Sequence, residues 1–500
     1  MDVRLRAKLA LFGTIFWIGV APGTYRARAG GGATGAVQRL AGRAVGATPM
    51  LDDLRELCDH IGGRATGSPA CDRAVHWAAE KFRAAGVDSV SLESYTVPAL
   101  WLGGSAEGEC LSPERFPIRL VAAPFSASTP DEAIEAPLVN ASDGSKEAFA
   151  KLGTAARGAI ALVTSPEMKT FADLFEEYAR DGPVIEGAQQ AQVAAVLLQS
   201  TRLRGLLYRH PVTFGTMVSL PMATVSREHA ARLARLLEGG EVRVRLSLHN
   251  QTGGAYQANN VVAEIRGSER PEEVVLLGAH LDSWDLGTGG EDNGVNAAMI
   301  IDVARGIKQL SLVPRRTIRF VLFTGEEQGM RGSAGYVLRH AAEMERHVAV
   351  VIFDTGSGRT TGFYLNGRGE LRKPVTEALS AVAGLGASQQ VIDALDGTDN
   401  FDFLLSGVPN LVANQDPIPY LPDYHAESDV FERVDARQAK ANAAIASVLV
   451  WQLANRPDRL GKRQTRTEVQ ELLKETKLDL QMKAAGQWDE WQTGKRGANP

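Results

Sequence analysis

The sequence predicts an α/β protein, a central sheet flanked by helices and interrupted by an inserted domain. Three observations predict it. From residue 259 onward, short continuous apolar runs alternate with helical patterns at the spacing of crossover units. Residues 130–250 change texture, with short strands separated by helices and few chemistry-bearing side chains for their length. Residue types that bind metals collect where successive strands end, the place where functional groups gather in open α/β sheets. At 500 residues the chain exceeds one ordinary domain, so two folded units are expected.

The elements follow in order. Arg4, Arg6 and Lys8 precede an apolar run at 9–20, and Ala27-Arg28-Ala29 offers a small-x-small cleavage site. Residues 1–29 therefore read as a secretory signal peptide. The run is shorter than the ~20 residues needed to span a bilayer, so export to the periplasm or beyond is expected, with no stable membrane insertion after cleavage. Losing five basic groups and one acid from a net charge of −5 leaves the mature chain at about −9. Residues 30–129 read as the amino-terminal part of the main domain, beginning with a flexible leader rich in Gly, Ala and Arg at 30–48.

Residues 51–61 and 74–85 have helical apolar spacing, and Gly86 fits a helix stop. A turn-rich loop, Gly62-Gly63-Arg64-Ala65-Thr66-Gly67-Ser68-Pro69, lies between them, and residues 90–97 alternate like a strand. Within the insert, 158–164 and 193–199 read as buried strands and 227–237 as an amphipathic helix. The stretch 251–455 reads as the chemistry-bearing domain. It has strands at 261–266, 274–279, 317–323 and 349–353 and a long helix at 294–310. Residues 456–500 are charged and read as a surface appendage with a helical patch at 469–480.

No block of like charge runs through the body, which argues against nucleic acid as a partner. Cys58, Cys71 and Cys110 lie far from the motifs below and contain no Cys-x-x-Cys, so no thiolate metal site is indicated. An exported chain permits disulfides, and Cys58 with Cys71 is one pairing open to it, but an odd count leaves at least one thiol free.

Three strands end in His280-Leu281-Asp282, in Thr324-Gly325-Glu326-Glu327 and in Asp354. Glu291-Asp292-Asn293-Gly294 lies between the first strand and its helix, and Tyr424-His425-Ala426-Glu427-Ser428-Asp429 lies downstream. Singly, each has a bland explanation, such as a helix cap, a turn or a solvated acid pair. Together they point to a metal centre. Zinc takes imidazole and carboxylate where no thiolate is offered. Two ions about 3.5–4 Å apart need a carboxylate between them to screen their repulsion. Asp282, two residues past His280, can orient that imidazole from behind. Glu326 and Glu327 are adjacent and cannot fill one coordination position, so one is free to act as a base.

These words resemble the co-catalytic zinc exopeptidases related to bacterial leucyl aminopeptidase and the transferrin receptor ectodomain, and within them the carboxypeptidase Q-like subgroup. The likeness is carried by Gly278-Ala279-His280-Leu281-Asp282-Ser283-Trp284-Asp285, Gly325-Glu326-Glu327-Gln328-Gly329, Gly397-Thr398-Asp399, Gly407-Val408-Pro409 and the early Arg64-Ala65-Thr66-Gly67-Ser68 loop. The resemblance implies a mixed central sheet flanked by helices, with a protease-associated-type domain inserted at 130–250. It implies two Zn2+ per chain, with Asp292 bridging, His280 and Asp354 on one ion, and Glu327 and His425 on the other. It further implies Glu326 as general base, a supporting place for Asp282, an acid near the centre at Asp399 and a cis peptide bond after Asp292. The activity it implies is hydrolysis of dipeptides or short peptides by a metal-bridged hydroxide, in a chain for which a homodimer is open. Two alternatives stand beside it: an aminopeptidase acting on longer peptides, and a non-catalytic binding ectodomain. The second expects lost ligands, and all five stand in the sequence. The departures are Glu427, a charge where the subgroup carries histidines, and Glu291, a rival to Asp292.

Overall fold

The computed structural model describes residues 33–498. The signal-peptide expectation for residues 1–29 lies outside them. Among the described residues no helix is long and apolar enough to cross a membrane.

The central sheet has seven strands in the spatial order Ser89–Val97, Tyr256–Ile265, Arg316–Phe323, Arg270–His280, His347–Ile352, Asn410–Gln415, Thr360–Tyr364. The middle four run parallel and the outer ones antiparallel, so the sheet is mixed. The four parallel strands are buried on both faces over their apolar runs, whereas the edge strand Ser89–Val97 alternates buried and exposed residues. Val275, Leu277 and Ala279 join the core on one face, under the helices Pro69–Ala85, Val295–Gln309 and Ala436–Asn455. Leu276 joins the other, with Tyr336 and Phe403. The helix Pro69–Ala85 starts at Ser68, whose hydroxyl accepts from the Cys71 amide, and stops at Gly86 in the left-handed region (φ 77°).

A second sheet of eight strands runs Phe116–Ile118, Ala106–Ser112, Arg243–Leu248, Ile134–Asn140, Ile160–Val163, Ala195–Gln199, Met222–Val225, Leu120–Ala122. Three of these strands lie before residue 130, so the second sheet begins earlier in the chain than the change of texture suggested. Their alternating apolar residues, such as Phe116, Ile118 and Leu120, face the insert's own core rather than the central sheet. The two sheets are joined by a neck in which Leu100–Leu102 pairs antiparallel with Gln251–Gly253. The helix Phe171–Gln190 of the insert opens with a Thr170–Asp173 capping box.

Two expectations are corrected at the ends of the chain. The leader is not flexible over its described part: Ala33–Ala44 is a helix whose Val37 and Leu40 enter the main core, with Arg43 bound to Asp302 at 2.8 and 3.0 Å. The carboxy-terminal segment is not a surface appendage. Val469, Leu473, Leu478, Met482 and Trp491 form a core with Met330, Phe401 and Leu405. Arg496, 1% exposed, pairs with buried Asp402 at 2.9 Å. Charge density concealed a narrow apolar stripe that helical folding gathers on one side. Trp491→Ala is therefore expected to cost about 3–5 kcal/mol, read as a fall in the denaturant midpoint. A surface appendage would lose no more than ~0.5 kcal/mol.

All three cysteines are free and buried. Burial pushes the Cys58 thiol up to about 11, and Cys71 higher still. These thiols are held protonated and inert.

Candidate metal centre

The parallel register brings the site together. His280, the last residue of its strand, pairs with Phe323 of the neighbour, so Glu326 and Glu327 emerge beside it. Asp354 follows the next strand over, which ends at Ile352. The fourth parallel strand, Asn410–Gln415, leads into the loop that carries His425. Asp292 stands in the turn Gly290–Gly294, directly before the helix Val295–Gln309.

Two groups of ligand-type side chains result, His280–Asp292–Asp354 and Asp292–Glu327–His425, and they share Asp292. His280 Nε2 lies 3.2 Å from Asp292 Oδ1 and 2.8 Å from Asp354 Oδ1. His425 Nε2 lies 3.5 Å from Asp292 Oδ2 and 2.8 Å from Glu327 Oε2. Donors 2.0–2.2 Å from a tetrahedral zinc ion sit roughly 3.3–3.6 Å apart, so these spacings are near those of one coordination shell. The Glu326 carboxylate belongs to neither group.

His280, Asp292, Asp354 and His425 are each oriented from behind. His280 Nδ1 meets the main-chain carbonyl of Asp282 at 3.0 Å, closer than the Asp282 carboxylate at 3.6 Å. The imidazole is thus oriented by the Asp282 backbone. The Asp282 carboxylate instead accepts from Thr66 Oγ1 at 2.7 Å and the Gly325 amide at 2.9 Å, tying the early loop to the Glu326–Glu327 turn. Gly325 has φ 72°, and a Cβ there would lie 2.7 Å from the Tyr95 hydroxyl, so the turn needs glycine. Asp292 is placed by Asp429, whose carboxylate accepts from the amides of Glu291 (2.7 Å) and Asp292 (3.1 Å). The Asp292–Asn293 bond is cis. Asn293 Nδ2 donates to Asp354 Oδ1 at 3.0 Å. Glu291 turns away to accept from Ser357 Oγ at 2.6 Å, which leaves Asp292 as the shared carboxylate. Glu427 also turns away, toward Arg119 and the Leu207 amide.

His425 is held differently. Its backbone is left-handed (φ 58°), and its Nδ1 meets the carbonyl of Arg209, in the insert, at 3.0 Å. Its ring stacks on Tyr424 at 3.6 Å, and the Tyr424 hydroxyl meets that of Tyr178 at 3.0 Å. With Trp284 and Asp429, His425 walls a pocket of about 170 Å³ over Asp292 and Glu327. Arg209 and Tyr178 gave no local signal in the sequence, because each acts on a residue distant in the chain, and Asn293, although inside the quoted motif, bonds across to Asp354. Thr66 and Asp429 stood inside the quoted segments without an assigned role.

The electrostatics say what the centre lacks. Burial raises Glu327 well above the usual carboxylate range, and Asp292 adds to it. Burial likewise raises Glu326, with Asp354 and Asp399 reinforcing and His280 opposing. Asp399 is fully buried, neither oxygen has a hydrogen-bond partner, and burial raises it too. Burial works to lower His280, but Asp354, Asp282 and Asp292 together raise it well above the histidine range. Burial pushes His425 down to about 3, the neutral form a ligand needs. Asp292 Oδ2 and Glu327 Oε1 are buried without a partner. Buried carboxylates persist when paired or when they coordinate metals. The donors and their orphaned oxygens fit a pair of divalent cations.

An α/β sheet with two carboxylate–imidazole pockets sharing one aspartate at its strand ends defines a hydrolase of the metallopeptidase class. Residues 260–450 match the model of peptidase family M28. Carboxypeptidase Q of Bos taurus is 29% identical over 406 residues, covering 80% of this chain and 84% of that protein. Aminopeptidase YwaD of Bacillus subtilis is 25% identical over 416 residues, covering 80% and 83%. The crystal structure of a Peptidase M28 precursor from Shewanella amazonensis SB2B superposes with a TM-score of 0.78 at 27% identity, covering 86% of this chain and 98% of that one.

Proposed function

We propose that this chain is an exported exopeptidase that holds two zinc ions and hydrolyses dipeptides or short peptides. The observation that carries the reading is the pair of pockets sharing Asp292, with Glu326 adjacent but outside both. His280 and Asp354 would hold one ion and Glu327 and His425 the other, with Asp292 shared between them. Bound zinc would polarise the scissile carbonyl and lower the pKa of a water to about 7. Glu326 takes the proton from the attacking water and returns it to the leaving amine. Asp282 fixes the turn that carries Glu326, through the Gly325 amide.

Short substrates are favoured by the insert. Tyr178 reaches Tyr424 beside His425 and stacks on Phe214 at 5.7 Å, which brings an aromatic cluster of the insert up to that side of the centre, where it would limit substrate length. The second reading is an aminopeptidase acting on longer peptides, as the name of YwaD suggests for that relative. Dipeptides and tetrapeptides of matched amino-terminal residue, compared by kcat/KM, separate the two. Preference for the dipeptide supports the first reading, and equal or better use of the tetrapeptide supports the second. Elemental analysis should find close to two zinc ions per chain, and exhaustive chelation should abolish hydrolysis, with zinc restoring it. Robust hydrolysis after complete chelation would sink the proposal.

A further inference from the structure

The two pockets are supported in opposite ways. His280 is oriented by a carbonyl two residues along its own chain. His425 is oriented by a carbonyl 216 residues away, in a different sheet unit. Around that contact, residues 207–209 of the insert pair with 425–427 of the catalytic loop. The Arg209 amide donates to the His425 carbonyl at 3.0 Å, Tyr208 bridges to Ala426, and the Glu427 amide donates to the Leu207 carbonyl at 3.0 Å. This short ladder also holds His425 in its left-handed conformation, which a non-glycine residue keeps only when its surroundings impose it.

The ladder is itself clamped by one face of the helix Phe171–Gln190. Glu177 accepts from the Tyr208 hydroxyl, and Asp181 meets His210 Nε2 at 2.8 Å. Tyr178, between them, packs on His210 with ring centroids 4.5 Å apart and sends its hydroxyl to Tyr424. Arg209, whose carbonyl faces His425, is anchored by two 2.8 Å bonds from its guanidinium to Asp285 of the catalytic domain.

We propose that the inserted domain is the outer support of one metal pocket: Arg209 and Tyr178 are positioning residues for His425, so the cation affinity of the Glu327–His425 pocket depends on insert docking while that of the His280–Asp354 pocket does not. The proposal rests on the two-ion reading above. Outer partners of a ligating histidine fix its ring and tautomer, and their loss costs 10–100-fold in metal affinity or activity. The insert therefore acts on the centre through His425.

The test uses the full-length apo-protein titrated with zinc against a chromogenic chelator. Tyr178→Phe keeps the ring and removes the hydroxyl. Arg209→Met keeps much of the length and removes the anchor to Asp285. In each variant one of two ions should bind about 10–100-fold more weakly and the other within about twofold of wild type. Saturating zinc should then restore most of kcat, as expected of residues that hold a ligand without touching substrate. Unchanged affinity for both ions, or equal weakening of both, overturns the inference and leaves the proposed function standing. A wild type that binds two ions but cleaves no peptide removes the function and leaves the inference. A wild type that binds fewer than two ions overturns both.

Discussion

Glu326→Gln is expected to lower kcat by about 10²- to 10⁴-fold while the protein keeps its zinc. The glutamine is the same size, so the turn after Gly325 should be undisturbed. The carboxylate it replaces belongs to neither ligand group, so metal content should hold at the wild-type value. What disappears is the group that accepts the proton of the attacking water. Stability should move the other way. Burial first, and then the charges of Asp354, Asp399 and Asp282, oppose ionisation of Glu326, and a neutral glutamine avoids that cost in the metal-free protein. Steady-state kinetics with elemental analysis on one preparation checks both arms. Near-native turnover would assign the base elsewhere, and loss of zinc would move Glu326 into the coordination shell.

Asp292→Asn is expected to have the larger effect on metal binding, because one side chain serves both pockets. Its two oxygens lie 3.2 Å from His280 Nε2 and 3.5 Å from His425 Nε2. An amide offers one weak oxygen donor, carries no charge and presents its NH2 to a cation. Both ions should weaken together, in contrast to the single-site effect expected for Tyr178→Phe. Zinc stabilises the wild-type fold by an amount that grows as the logarithm of zinc over its dissociation constant. That zinc-dependent rise in melting temperature should largely vanish in Asp292→Asn. A variant with full zinc stabilisation would show that Glu291 or another acid does the bridging.

The catalytic half was legible in the sequence because its signals are local. A parallel strand buried on both faces reads as an unbroken apolar run, and its end marks where side chains enter the cleft, so His280, the Glu326–Glu327 pair and Asp354 could be placed from strand ends, while the choice of Glu327 over Glu326 as ligand came only from the family resemblance. Asp292 was separable from Glu291 only by its position before the helix, and the structure adds the reason, since Glu291 is drawn off by Ser357. The partner of the His280 ring was legible only as a residue. Sequence names Asp282 but cannot say whether its backbone or its carboxylate meets Nδ1. The contributions of Tyr178 and Arg209 were not legible at all. Their contacts join segments more than 200 residues apart, and one of them uses a main-chain carbonyl that every residue type possesses. The carboxy-terminal segment misled for a related reason: its apolar residues are few and widely spaced, and only the groove around Phe401 and Leu405 gives them somewhere to go.

The neck between the sheets bears on how the molecule assembles. Ser89–Val97 pairs with 256–264, Leu100–Leu102 with Gln251–Gly253, and Ala106–Ser112 with Arg243–Leu248, in one antiparallel run from the first sheet to the second. In the unfolded chain, pairing Val97 with Tyr256 closes a loop of roughly 160 residues, at an entropic cost of about 4–5 kcal/mol plus a constant. Once the insert has folded, that loop is already closed at its far end. Pairing can then advance rung by rung toward Ser89, each step costing only local ordering. The ribbon is in this sense a zipper whose slider is the insert, and folding that begins there delivers the amino-terminal edge strand to the catalytic sheet without a long-range search.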